Sequence, residues 1–221
     1  MWTPTLRKSE FSKGDNLTAL GAATEPIPVS PKRATEVLIV LTIMVIAMGG
    51  MIRIYDAGES CPDWPTCFGT FGFDISEEEQ GEWWDENPDE ADSRGSGHRY
   101  TTFEIFTEWF HRLLAGAFVG PLVILNWFLV RRDFWNSPRV RGVSSLTLAL
   151  ILWQGAIGWL TVKFDNENWS VAIHLGSALA FMISLIWLWI EIRRDEEDLP
   201  NWINFDPLVG VKWRKWIGVL S

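Results

Sequence analysis

The chain has 221 residues, 48% of them hydrophobic, yet 28 acidic against 19 basic side chains leave a net charge of −9. A soluble acidic domain would scatter its apolar residues at helix or strand period; here they are pooled in long blocks with the charges confined between them, the pattern of a membrane protein. The negative balance argues against nucleic acid as a partner.

In chain order, residues 1–35 form a charged tail, too long before the first apolar block for a signal peptide, so the first span is read as a retained anchor. That block runs over about 36–54 and carries VLIVLTIMVIAMGGMI. Residues 56–103 follow as a long loop with thirteen acids and only two basic residues, Arg94 and Arg99. Its first part, YDAGESCPDWPTCFG, holds the only two cysteines, Cys61 and Cys67. A small disulfide-closed loop and two unpaired small hydrophobes are both open readings, while two thiols without nearby histidines make a poor metal site. Positions 74–92 carry ten acids in nineteen residues and read as a solvated, flexible insertion.

The second apolar block covers about 104–130, the third 142–162 and the fourth 169–190. Each is close to the ~20 residues that cross a ~30 Å hydrocarbon core as a helix, and a helix satisfies its own backbone hydrogen bonds in lipid. The expected fold is therefore all-α: a polytopic membrane four-helix bundle over 36–192, with the long loop 56–103 on the extracytoplasmic side. Orientation comes from Arg7, Lys8, Lys13, Lys32 and Arg33 before the first span, Arg131, Arg132, Arg139 and Arg141 between the second and third, and Arg193, Arg194, Lys212, Arg214 and Lys215 after the fourth. The positive-inside rule puts both ends in the cytoplasm of a cell with this protein in its plasma membrane. Trp109, Trp127, Trp159, Trp169, Trp187 and Trp189 lie near span ends, where an interfacial aromatic belt belongs. Residues 193–221 read as a cytoplasmic tail or, from WRKWIGVLS, as the start of a further span.

Three histidines carry the chemistry. His98, in the polar string SGHRY, reads as an exposed loop residue. His111 and His174 fall inside spans, where ionisable side chains are costly and usually functional. His111 is twenty residues before Arg131, roughly 30 Å along a helix, and His174 seventeen before Glu191, roughly 25 Å. Both thus lie near the outer edge of the hydrocarbon, within about one turn of the same level. Two imidazoles at matched depth on different helices can clamp one planar macrocycle; the bland alternative is that each hydrogen-bonds its neighbours. Ala115 and Ala178, four residues on, leave room for a flat ring. Glu108, three residues before His111, suits proton transfer, orientation of the imidazole, or a simple ion pair with Arg112 or Arg53. Arg53 ends the first span, where it could neutralise a heme propionate or snorkel to water.

GGMIRIYDAGESCPDWPTCFG, EWFHRLLAG, WQGAIGWLTV and AIHLGSALA stand in the order and span positions of the heme A synthase family, which residues 36–190 resemble. The resemblance implies oxidation of a methyl group of heme O to the formyl group of heme A, with heme b as a further cofactor. It implies that His111 and His174 are axial ligands of a heme iron and that Glu108 is the carboxylate needed for the oxidation; Arg53 and Arg112, from their places beside these residues, are read as heme-binding. It also implies a disulfide between Cys61 and Cys67. Heme O synthase is the implied neighbour in the pathway.

Family members have two similar four-helix halves, and this sequence supplies one. The second histidine pair would come from another copy by homodimerisation or from a C-terminal half. The acidic insertion is longer than the family leads one to expect, and Met51-Ile52 stand where a polar residue is frequent. Two other classes remain: an electron-transferring membrane cytochrome b, and a disulfide-generating membrane oxidoreductase, for which one C-x5-C pair is a weak match.

Overall fold

The computed structural model describes residues 29–200 and, among these, is built from helices with no named strand. Helix α1 spans Pro31–Ile54; Ser30 caps it by accepting from the Arg33 N–H, and Pro31 fits the first turn, where no donor is needed. Helix α2 is Glu77–Glu86, followed by a single 3₁₀ turn at Pro88–Glu90. Helix α3 is Thr102–Leu113, opened by a Thr101/Glu104 capping box. The turn Leu114–Val119 is wound as a π-helix, and α4 continues over Gly120–Asp133, so Thr102–Asp133 is one span. Helix α5 is Pro138–Lys163 and α6 is Asn168–Asp195.

Four helical segments are long and apolar enough to cross a membrane: α1, α3 through α4, α5 and α6. They begin or end a few residues beyond the apolar blocks because prolines and caps, rather than hydropathy, set the boundaries. The N-terminal tail expected at 1–35 lies outside the described residues up to position 28, as does 201–221 of the expected C-terminal segment.

The spans form a closed ring. α1 packs on α6 and on α3–α4; α5 packs on α4 and on α6. The second and fourth spans therefore face each other across the diagonal, as do the first and third. One end of the bundle is filled by Val130, Phe134, Val140, Val143, Leu188 and Ile192. Its middle is filled by Leu38, Val119, Val123, Phe181 and Leu185.

At the opposite end, residues 55–101 fold over the bundle as a cap whose apolar centre is Cys61, Cys67, Phe68, Ile75, Trp84 and Tyr100, packed on Ile105 of α3. This corrects the expectation of a flexible acidic insertion at 74–92. Six of its ten acids lie along α2, but Trp84 is 2% exposed, and Gln80 is fully buried. Gln80 accepts from the Tyr100 N–H at 2.8 Å and donates to the carbonyls of Ile75 and Tyr100. Ser76 and Glu79 close a capping box at the helix start. Two aromatic residues and one buried amide are enough to order a helix whose remaining surface is solvated.

Candidate functional site

His111 stands near the end of α3 and His174 in the second turn of α6, on the two spans that face each other across the ring. Both are half-buried. The neighbouring spans meet each ring with a glycine. A Cβ placed on Gly49 of α1 would lie 3.4 Å from His111 Nε2, and one on Gly158 of α5 would lie 3.0 Å from His174 Cε1. Any larger side chain at Gly158 would displace the imidazole. Gly49 and Gly158 are each five residues from the cap end of their helices, so the four residues share one level.

That level belongs to none of the three apolar clusters. The apolar clusters occupy the middle and far end of the bundle and the cap above it; Leu114 and Ile157 are buried between them but join no cluster. Gly49 meets the His111 ring, and Gly158 and Gln154 meet the His174 ring. Two imidazoles at one level, on spans across the diagonal and each met by a glycine, are a donor set that fits a heme iron.

Gln154 binds His174 directly. Its Nε2 lies 3.1 Å from His174 Nδ1 and donates to the His174 carbonyl, also at 3.1 Å, while its Oε1 accepts from Ser177 Oγ at 2.5 Å. Reading the sequence left Gln154 as one polar residue in an apolar span; its position one turn before Gly158 on α5 was the available signal. The π turn was also missed. The amide of Gly120 bonds the carbonyl of Ala115, five residues back. Pro121 is the cause, since it can donate no hydrogen bond and its ring crowds the turn before it. Ala115 consequently belongs to the widened turn, and its i+4 relation to His111 is not that of a regular helix.

Glu108 is 4% exposed and sits where the cap meets the bundle. One carboxylate oxygen pairs with Arg112; the other accepts from Ser60 Oγ at 3.1 Å and from the Cys61 N–H at 3.0 Å. Arg112 in turn donates to the carbonyls of Cys61 at 2.7 Å and Asp63 at 2.6 Å. Cys61 and Cys67 are joined by a disulfide, and both are fully buried. Glu108 and Arg112, one helical turn apart, thus grip the disulfide loop from below. Arg53 takes neither role: it is exposed at the end of α1 and donates to Asn168 Oδ1 at the start of α6. His98 is half-buried, accepts at Nε2 from Arg94 at 3.2 Å and packs edge-on against Tyr100, well apart from the other two histidines in the chain. Among the described residues no cluster of three or more His, Cys, Asp or Glu could hold a bare metal ion.

The family model described as "Cytochrome oxidase assembly protein" matches residues 32–214. Heme A synthase of Shewanella oneidensis is 30% identical over 185 residues, covering 83% of this chain and 52% of that protein. Heme A synthase of Caulobacter vibrioides is 32% identical over 210 residues, covering 81% of this chain and 53% of that one. A heme A synthase–mitochondrial ferredoxin fusion protein of Schizosaccharomyces pombe is 29% identical over 168 residues, covering 66% of this chain and 26% of the fusion. The chain spans about half the length of the bacterial relatives it matches. No solved structure matches it. With a family model matched from the first span to beyond the fourth, the chain belongs to the cytochrome oxidase assembly protein family.

Proposed function

We propose that this four-helix unit binds heme between His111 and His174 and serves the oxidation of heme O to heme A. The observation that carries the reading is the pair of imidazoles at one level of the bundle, on spans across the diagonal from each other, each against a glycine. Membership of the family, and relatives named heme A synthase over more than four-fifths of the chain, support a heme substrate for that site.

When bound, the heme supplies the redox chemistry and the methyl group that is oxidised. The chain's own residues supply position and charge. His111 and His174 would hold the iron through ring nitrogens. Glu108, one turn before His111, takes or relays a proton released as the methyl edge is oxidised, held in place by Arg112, Ser60 and the Cys61 amide. Arg53, with a solvent-exposed guanidinium at the rim, is the better candidate for a propionate; Arg112 is already engaged with Glu108 and two carbonyls. The cap lies outside the cell membrane and both ends of the described chain inside, in line with the excess of Lys and Arg at the far end of the bundle. Heme O synthase would deliver the substrate. A second four-helix unit, from another copy or a C-terminal half, would hold a heme b.

The thiol-oxidoreductase reading is disfavoured by the burial of both cysteines, since exchange needs an accessible sulfur. Extraction and chromatography of the heme from protein purified out of membranes tests the proposal. Heme O or its oxidised products are expected. Heme b alone would leave an electron carrier, and a heme-free protein would overturn the reading.

A further inference from the structure

The two histidines are held very differently. The His174 ring is fastened to the neighbouring span: Gln154 contacts its Nδ1 at 3.1 Å, and Gly158, one turn further along α5, lies against its Cε1. Gln154 is itself fixed at both ends of its carboxamide, by Ser177 Oγ at 2.5 Å and by the His174 carbonyl at 3.1 Å. With Nδ1 engaged, Nε2 is the nitrogen left without a hydrogen-bond partner among the described residues. As placed, the amide N–H donates to Nδ1; turned end for end, the carboxamide gives up the His174 carbonyl and its oxygen accepts from Nδ1–H, the tautomer that leaves the Nε2 lone pair for a metal. The His111 ring, by contrast, meets no hydrogen-bond partner among the described residues; Gly49 of α1 only packs against its Nε2 edge. The groups that could have held it, Glu108 and Arg112, face the disulfide loop instead.

We infer that Gln154 is a positioning residue that makes His174 the fixed axial ligand, leaving His111 as the exchangeable one that yields to an added ligand. The inference rests on the proposed heme site and adds an order between its two ligands. It bears on function because a heme iron held by two histidines has no open position; an unsupported ligand is the one that can vacate it.

The test uses the full chain purified in detergent micelles, with carbon monoxide as the probe of the reduced protein and electron paramagnetic resonance of the oxidised protein. Wild type should show a low-spin signal from two imidazoles. His111→Ala should keep its heme and bind carbon monoxide readily, whereas His174→Ala should lose at least tenfold more heme than His111→Ala. Gln154→Leu should weaken heme retention by roughly 10–100-fold, the usual effect of removing a group that orients a ligating histidine. It should also shift the low-spin signal. Ser177→Ala, a smaller change that frees only one end of the carboxamide, should shift the signal the same way with heme still bound. Equal loss of heme in the two histidine variants, or wild-type signals in both Gln154→Leu and Ser177→Ala, would overturn the inference while leaving the heme site standing. Absence of the two-imidazole signal from wild type would instead remove the site itself.

Discussion

Glu108 illustrates how a residue can be found in the sequence and still be misjudged in its surroundings. Its place three residues before His111 was visible, and so was the option of pairing with Arg112; its bonds to Ser60 and the Cys61 amide were not, because they depend on how the loop folds back over the bundle. Removing one partner of a buried ion pair costs about 3–5 kcal/mol. Glu108→Ala should therefore lower thermal stability by an amount of that order and loosen the disulfide loop. Glu108→Gln keeps the shape and the acceptor oxygen, so it should fold, retain heme and lose product formation by about 10²-fold or more. Turnover equal to wild type in the Gln variant would show that the carboxylate only anchors the loop. The glycines make a separate, graded prediction. A Cβ at Gly158 meets His174 at 3.0 Å and one at Gly49 meets His111 at 3.4 Å. Gly158→Ala should disturb the absorption spectrum of the bound heme clearly more than Gly49→Ala.

The helical elements were legible wherever hydropathy alone decides. All four spans follow from long apolar blocks, and the depth of His111 and His174 follows from counting to the charges that end them. Two elements were not legible in this way. The π turn at Leu114–Val119 is set by Pro121, whose effect reaches backward along the chain into the turn after His111. Helix α2 is set by tertiary burial, which a composition of ten acids in nineteen residues conceals. Trp84→Ala should cost the cap about 3–5 kcal/mol, seen as faster proteolysis between residues 74 and 101 with the spans unchanged. The same element gives a pH effect. The Ser76 backbone N–H and hydroxyl hold the Glu79 carboxyl below its ordinary value near 4.5. A lowered carboxyl stabilises the folded state above the unfolded value and loses that contribution as pH falls through the folded one. Amide protection in α2, corrected for intrinsic exchange, should fall on acidification below that region, while protection in the spans stays constant.

As a molecule, the chain is a multi-pass membrane protein with two differently built ends. The far end carries Arg131 over Trp127, Arg141 over Trp135 and Arg193 over Trp189, together with an ion pair from Lys32 to Glu196. The cap end carries the acidic loop and the disulfide. Cysteines introduced in the Arg132–Pro138 turn and on the exposed face of α2 should be labelled from opposite sides of intact membrane vesicles; labelling of both from one side would contradict the proposed orientation. Between the ends, the ring order sets the second and fourth spans on one diagonal, and this places the two matched depths across the bundle from each other. Sequence supplied the depths, while the diagonal came only from the packing of α1 and α5 on both partners. Magnetic circular dichroism in the near infrared of the purified, oxidised protein reports the axial ligands of any bound heme. A band of two-imidazole ligation, lost when either His111 or His174 is replaced by alanine, is the predicted result. A heme spectrum that survives both replacements, or no heme in the wild-type protein, would contradict it.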